Sequence, residues 1–91
     1  MKHFPHAVNV AVTELNSIRR RNACSSIHVV DPYVIKKVIR VGDVFHVAVK
    51  DGNWYDTLIV TDSARWRSPV AEYTGFLLYR DAVAALPNLQ W

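Results

Sequence analysis

Over residues 7–21 the apolar side chains Val8, Ala11, Val12, Leu15 and Ile18 recur at spacings of three and four, which is one face of a helix. Arg19, Arg20 and Arg21 fall in its last turn, where cations suit the negative end of the helix dipole. Val8, Val10 and Val12 also alternate, so a strand over residues 7–12 competes with that reading. Residues 26–30, SIHVV, are short and rich in β-branched side chains and predict a strand. The stretch 33–41 is open between two readings. Asp31 followed by Pro32 is a helix-start pair, and Val34, Ile35, Val38 and Ile39 then form a stripe with Lys36, Lys37 and Arg40 turned away. The β-branched residues of the same stretch argue for a strand instead.

The strongest local signal spans residues 44–60. The runs VFHVAVK and WYDTLIV flank Asp51-Gly52-Asn53, and Asp-Gly between β-rich runs predicts a hairpin. Beyond a polar stretch at 64–69, residues 73–79 are apolar and aromatic with Gly75 inside them, which predicts a buried strand. Residues 80–86 predict a short helix ended by Pro87. Together these elements predict an α+β fold: a small, mainly antiparallel sheet with helices packed on one face. Ninety-one residues hold one hydrophobic core, so residues 1–91 are expected to form a single compact domain.

Composition narrows the class. With 51% hydrophobic residues and a mean hydropathy of +0.02, the chain is neither disordered nor low in complexity. So high an apolar content in a short chain also points to a surface that meets a partner. One cysteine excludes an internal disulfide. No apolar run approaches the roughly 18–20 residues that span a bilayer, and the N-terminal stretch lacks a continuous apolar signal region. A soluble protein of the reducing cytoplasm, without membrane contact, is the expectation. Charge is polarised: residues 1–42 carry seven bases and two acids, residues 43–91 four bases and six acids. Such a molecule can orient on a polyanion, on an acidic protein or on its own copy.

Candidate chemistry lies in two places. Three glycines cannot build a phosphate-cradling loop, and Cys24 with the scattered His3, His6, His28 and His46 has no metal-ligand spacing, so no cofactor or metal is expected. In the hairpin, a two-residue turn at Asp51-Gly52 sets His46 opposite Thr57. A three-residue loop with Gly52 left-handed sets His46 across from Asp56 instead, within reach of an imidazole–carboxylate bond. With Cys24 as nucleophile, that pair would complete a Cys-His-Asp set. The stretch HVAVKDGNWYD resembles the His-strand and Asp-strand segment of papain-like and transglutaminase-like enzymes over about eleven residues. The resemblance implies a minimal cysteine hydrolase using Cys24, His46 and Asp56. In those families the nucleophile opens a helix; here the predicted helix ends before Cys24, so catalysis ranks last of the three readings.

The other place is basic and aromatic. Arg19, Arg20 and Arg21 form one cluster, and Arg65, Trp66 and Arg67 set two guanidinium groups around an indole. Arg with exposed aromatics engages phosphates and unstacked bases, and the same residue types dominate protein–protein hot spots. The leading expectation is a small non-catalytic binding protein, an inhibitor or adaptor of viral or mobile-element type, with these six residues at its interface. A protein partner is favoured over nucleic acid, the alternative, and a homodimer is expected, through an exposed strand edge of so small a sheet.

Overall fold

The computed structural model describes residues 3–23 and 31–90. The expected strand at 26–30, with Cys24 and His28, lies outside them. Helix α1 spans His6–Ala23, and of the two readings of residues 7–12 the helix is correct. Val8, Ala11, Val12 and Leu15 are buried, whereas Val10, which an alternating strand would have buried, is 40% exposed. Pro5 enters just ahead of the helix, and its carbonyl accepts the N–H groups of Val8 and Asn9.

Of the two readings of residues 33–41 the strand is correct, as β1 (Val34–Val41), and Asp31-Pro32 caps no helix. β1 is followed by β2 (Val44–Asp51), β3 (Trp54–Thr61) and a two-residue β4 (Trp66–Arg67), in the spatial order β1-β2-β3-β4 with every neighbour antiparallel. A bulge at Lys36 interrupts β1 between Ile35, opposite Val49, and Lys37, opposite Ala48. Residues 73–79 do not form the expected buried strand. Ala71–Tyr73 is a 3-10 turn, Gly75 takes φ +72°, and only Phe76 pairs with the sheet, exchanging backbone bonds of 2.7 and 2.8 Å with Tyr55. Helix α2 (Tyr79–Ala85) then runs into the 3-10 turn Leu86–Asn88, which contains Pro87.

The fold class is α+β, with the antiparallel sheet expected. The helices, however, do not share one face. α1 packs its buried stripe on Phe45, Val47, Val49, Leu58 and Val60. The alternate residues Ala48 and Ile59 face the other way, onto Ala82 of α2 and Leu86 and Leu89 after it. The sheet is thus the middle of three layers. That is why Phe45 to Val49 are buried without a break. Among the described residues no helix is long and apolar enough to cross a membrane.

The β2–β3 turn uses Gly52 and Asn53, with Asp51 opposite Trp54. Gly52 has φ +61° and Asn53 does not enter the left-handed region, the pattern of a type II′ turn. A Cβ at Gly52 would lie 2.9 Å from Asp31 Oδ2, whereas one at Gly42, also at φ +61°, would meet nothing within 4 Å. Gly42→Ala is therefore expected to lose about 1 kcal/mol, the left-handed penalty alone. Gly52→Ala should lose more, about 1–2 kcal/mol, because Asp31 must also move. Urea unfolding of the two variants checks the order.

Candidate functional site

The hairpin register decides the His46–Asp56 geometry. His46 faces Ile59 and Asp56 faces Val49, so their side chains leave opposite faces of the sheet. Neither expected turn is the one formed: the turn lies one residue later than Asp51-Gly52, and alternation separates the pair. His46 is 3% exposed, and its Nδ1–H donates to the Leu86 carbonyl at 2.5 Å. A carbonyl only accepts, so the proton sits on Nδ1. Asp56 accepts from the Gly75 N–H at 2.7 Å. The imidazole–carboxylate bond of the hydrolase reading is not formed, and Cys24 lies outside the described residues.

The first arginine cluster is divided. Arg19 turns inward at the end of α1, where its Nη2 donates to Asp51 Oδ1 at 2.8 Å and to the Asp31 carbonyl at 3.2 Å. Its guanidinium also lies 4.0 Å from the Tyr33 ring centroid. One turn earlier, Asn16 makes a reciprocal pair with the Tyr33 backbone, donating to its carbonyl at 3.1 Å and accepting its N–H at 2.7 Å. Arg19 is thus engaged in holding the helix to the start of β1 and the end of β2. Arg20 and Arg21 are exposed. Burial raises the Tyr33 hydroxyl above its ordinary value of 10.0; the Arg19 charge opposes the rise, and Asp56 and Asp51 add to it.

The second cluster is split across the sheet. A tight turn with Ala64 at φ 65° feeds β4. Trp66 pairs with Val60 and packs half-buried against the α1-side core, while Arg67 pairs with Ile59. The indole is a packing anchor, not a platform between two guanidinium groups. Arg65 and Arg67 are exposed and, with Ile59, Thr61 and an edge of Trp66, line a shallow groove of about 300 Å³.

Two surfaces went unmarked in the sequence. At the hairpin end Trp54 is 50% exposed, Leu77 66%, Leu78 46% and Tyr79 39%. The bridge between Tyr55 and Phe76 brings Trp54 and Leu77 to neighbouring positions across the two segments, and the Tyr79 ring lies 5.8 Å from that of Tyr55. The available signal was Leu77-Leu78 beside a glycine, which reads equally as core. The other surface is β1, the long edge strand, with Lys36, Lys37 and Arg40. Arg40 makes a two-pronged pair with Asp62, at 3.0 and 3.1 Å, and stacks 4.8 Å from the Phe45 ring centroid. The bond to Asp62, and then its charge, raise the Arg40 guanidinium above its ordinary value. Among the described residues no three His, Cys, Asp or Glu side chains converge as metal ligands. The chain matches no known protein family, no curated protein and no solved structure.

Proposed function

We propose that the protein is a small non-catalytic binding protein of inhibitor or adaptor type, acting through a protein–protein interface at the hairpin end of its sheet. The observation that carries this reading is the group Trp54, Leu77, Leu78 and Tyr79, four large apolar side chains between 39% and 66% exposed. Contiguous apolar surface in water is unfavourable unless something covers it. Trp and Tyr are the residue types that most often dominate binding energy, and Tyr79, resting against Tyr55, is ordered before any partner arrives. The lone cysteine suits a reducing, cytoplasmic setting.

In the isolated protein the same surface is expected to pair with a second copy, giving a homodimer. Light scattering over a concentration series should approach twice 10.4 kDa. Replacing Leu77 and Leu78 together by Asp should return the mass to that of one chain, with the far-ultraviolet circular dichroism unchanged. A wild-type mass that stays at one chain throughout removes the self-pairing, and a variant that still dimerises moves the interface elsewhere.

Nucleic-acid binding is the alternative, and the exposure of Arg20, Arg21, Arg65 and Arg67 favours it. Against it stand the engagement of Arg19 with Asp51 and the packing of Trp66 into the core, which together remove the stacking platform. Binding to duplex DNA at low salt, with a salt slope reduced by about 0.9 for each arginine replaced by alanine, would favour it over the protein interface.

A further inference from the structure

The sheet has one short edge and one long one. At β4 only two residues border it, whereas β1 borders it for eight. Val41 and Val44 face each other across the two-residue turn Gly42-Asp43. Such a closing pair is hydrogen-bonded, so the alternation of an antiparallel ladder turns the N–H and C=O groups of Val38 and Arg40 outward, away from β2. Beside this edge, on the α1 side, runs a groove of about 480 Å³. Phe4, Val38 and Phe45 give it apolar walls and Arg40 borders it, while Lys36 and Lys37 lie along the same edge at the bulge, Lys37 opposite Ala48 and so toward the other face. Arg40 is offset by Asp62, but among the described residues neither Lys36 nor Lys37 enters an ion pair.

A bulge and lysines on an edge strand commonly serve to prevent pairing. Which pairing they prevent is informative. Two copies of β1 meeting antiparallel about Val38 would bring the bulged end of each, with Lys36 and Lys37, toward Arg40 of the other, and like charges brought together are destabilising. Pairing of two copies in that register is therefore disfavoured at this edge. A strand carrying carboxylates meets the opposite situation, gaining the outward backbone bonds of Val38 and Arg40 together with charge attraction to Lys36 and Lys37.

We infer that the β1 edge accepts an extended acidic segment of a partner protein as a fifth strand, with the side chains on its α1 side entering the apolar groove and its carboxylates lying beside the edge lysines. This surface is separate from the apolar hairpin end, and the two readings stand or fall independently.

The test uses the full chain and a fluorescein-labelled peptide alternating Glu and Val, followed by fluorescence anisotropy at low and at physiological salt. The peptide is expected to bind, and to shift the amide resonances of residues 36–40 most in two-dimensional NMR. A proline at its central valine, which removes a backbone donor, should weaken binding roughly tenfold or more. Lys36→Glu with Lys37→Glu should weaken it by roughly as much. Replacing Leu77 and Leu78 by Asp should leave it unchanged. Equal binding of the proline-containing peptide would overturn strand addition in favour of charge alone. Tighter binding of a single-stranded oligonucleotide of equal charge, or no peptide binding even at low salt, would overturn the acidic-segment assignment. The proline comparison is made on the wild-type protein, so the result does not depend on the charge variant folding.

Discussion

Truncating Leu86 to alanine is expected to cost about 2–5 kcal/mol, the range for removing a fully buried leucine where the surroundings close only in part. Leu86 is 0% exposed and packs among Ala48, Ile59, Ala82 and Leu89, with Tyr55, Tyr73 and Phe76 among the partly buried side chains around them. Its backbone carbonyl is also the acceptor for His46. His46→Ala should cost a similar amount, because it opens a cavity and leaves that buried carbonyl unbonded, worth about 1–3 kcal/mol alone. His46→Phe refills the volume without the donor and should fall between wild type and His46→Ala. Since a domain of this size has a total stability of roughly 5–10 kcal/mol, urea unfolding at neutral pH resolves all three. A His46→Phe variant as stable as wild type would show that packing alone holds this layer and that the hydrogen bond adds nothing net.

The second layer is also where sequence and structure part. The three-and-four spacing of Val8, Ala11, Val12 and Leu15 survives because α1 is buried on one face only, so period and burial coincide. β1 hides its period: the bulge at Lys36 shifts the alternation by one, and Val38 and Ile39 turn to opposite faces that are both partly covered. The resulting stripe imitates a helix. Burial from Phe45 to Val49 is unbroken because the sheet is covered on both sides, but in the sequence His46 interrupts the apolar run and hides that sign. The hairpin was legible too, but not its register, because Asp51-Gly52 and Gly52-Asn53 are both good turn pairs and differ by one residue. Both two-residue turns leave His46 and Asp56 on opposite faces; only the three-residue loop with Gly52 left-handed would have set them across from each other. Of the basic–aromatic candidates, sequence grouped Arg19 and Trp66 with the exposed arginines as interface residues and gave no sign that the fold would use them as anchors. Their partners Asp51, Tyr33 and Val60 are brought close only by the fold.

Arg19 supplies the other large expected effect. Arg19→Ala should destabilise the protein by about 2 kcal/mol, since one nitrogen bonds both the Asp51 carboxylate and the Asp31 carbonyl while the guanidinium plane covers Tyr33. The ion pair is partly exposed, with side chains 23% and 29% accessible, so screening limits its Coulombic share. The Nε–H, buried with no acceptor among the described residues, subtracts further. Arg19→Lys should recover less than half, because an ammonium has no plane to lay on the ring. The pair also sets an alkaline signature. Burial raises Tyr33, so the folded state holds the phenol proton more tightly than the unfolded chain does. The stability this provides is complete below the unfolded value of about 10 and is lost as pH rises through the folded one. Without Arg19, the one charge that opposes the rise is gone, so Tyr33 should ionise at still higher pH in the folded variant. Tyrosinate absorbance, taken as the difference between each protein and its Tyr33→Phe counterpart, reads this directly. An unchanged Tyr33 titration in Arg19→Ala would mean that the guanidinium does not sit over the ring in solution, and the stability loss would then have to come from Asp51 and Asp31 alone.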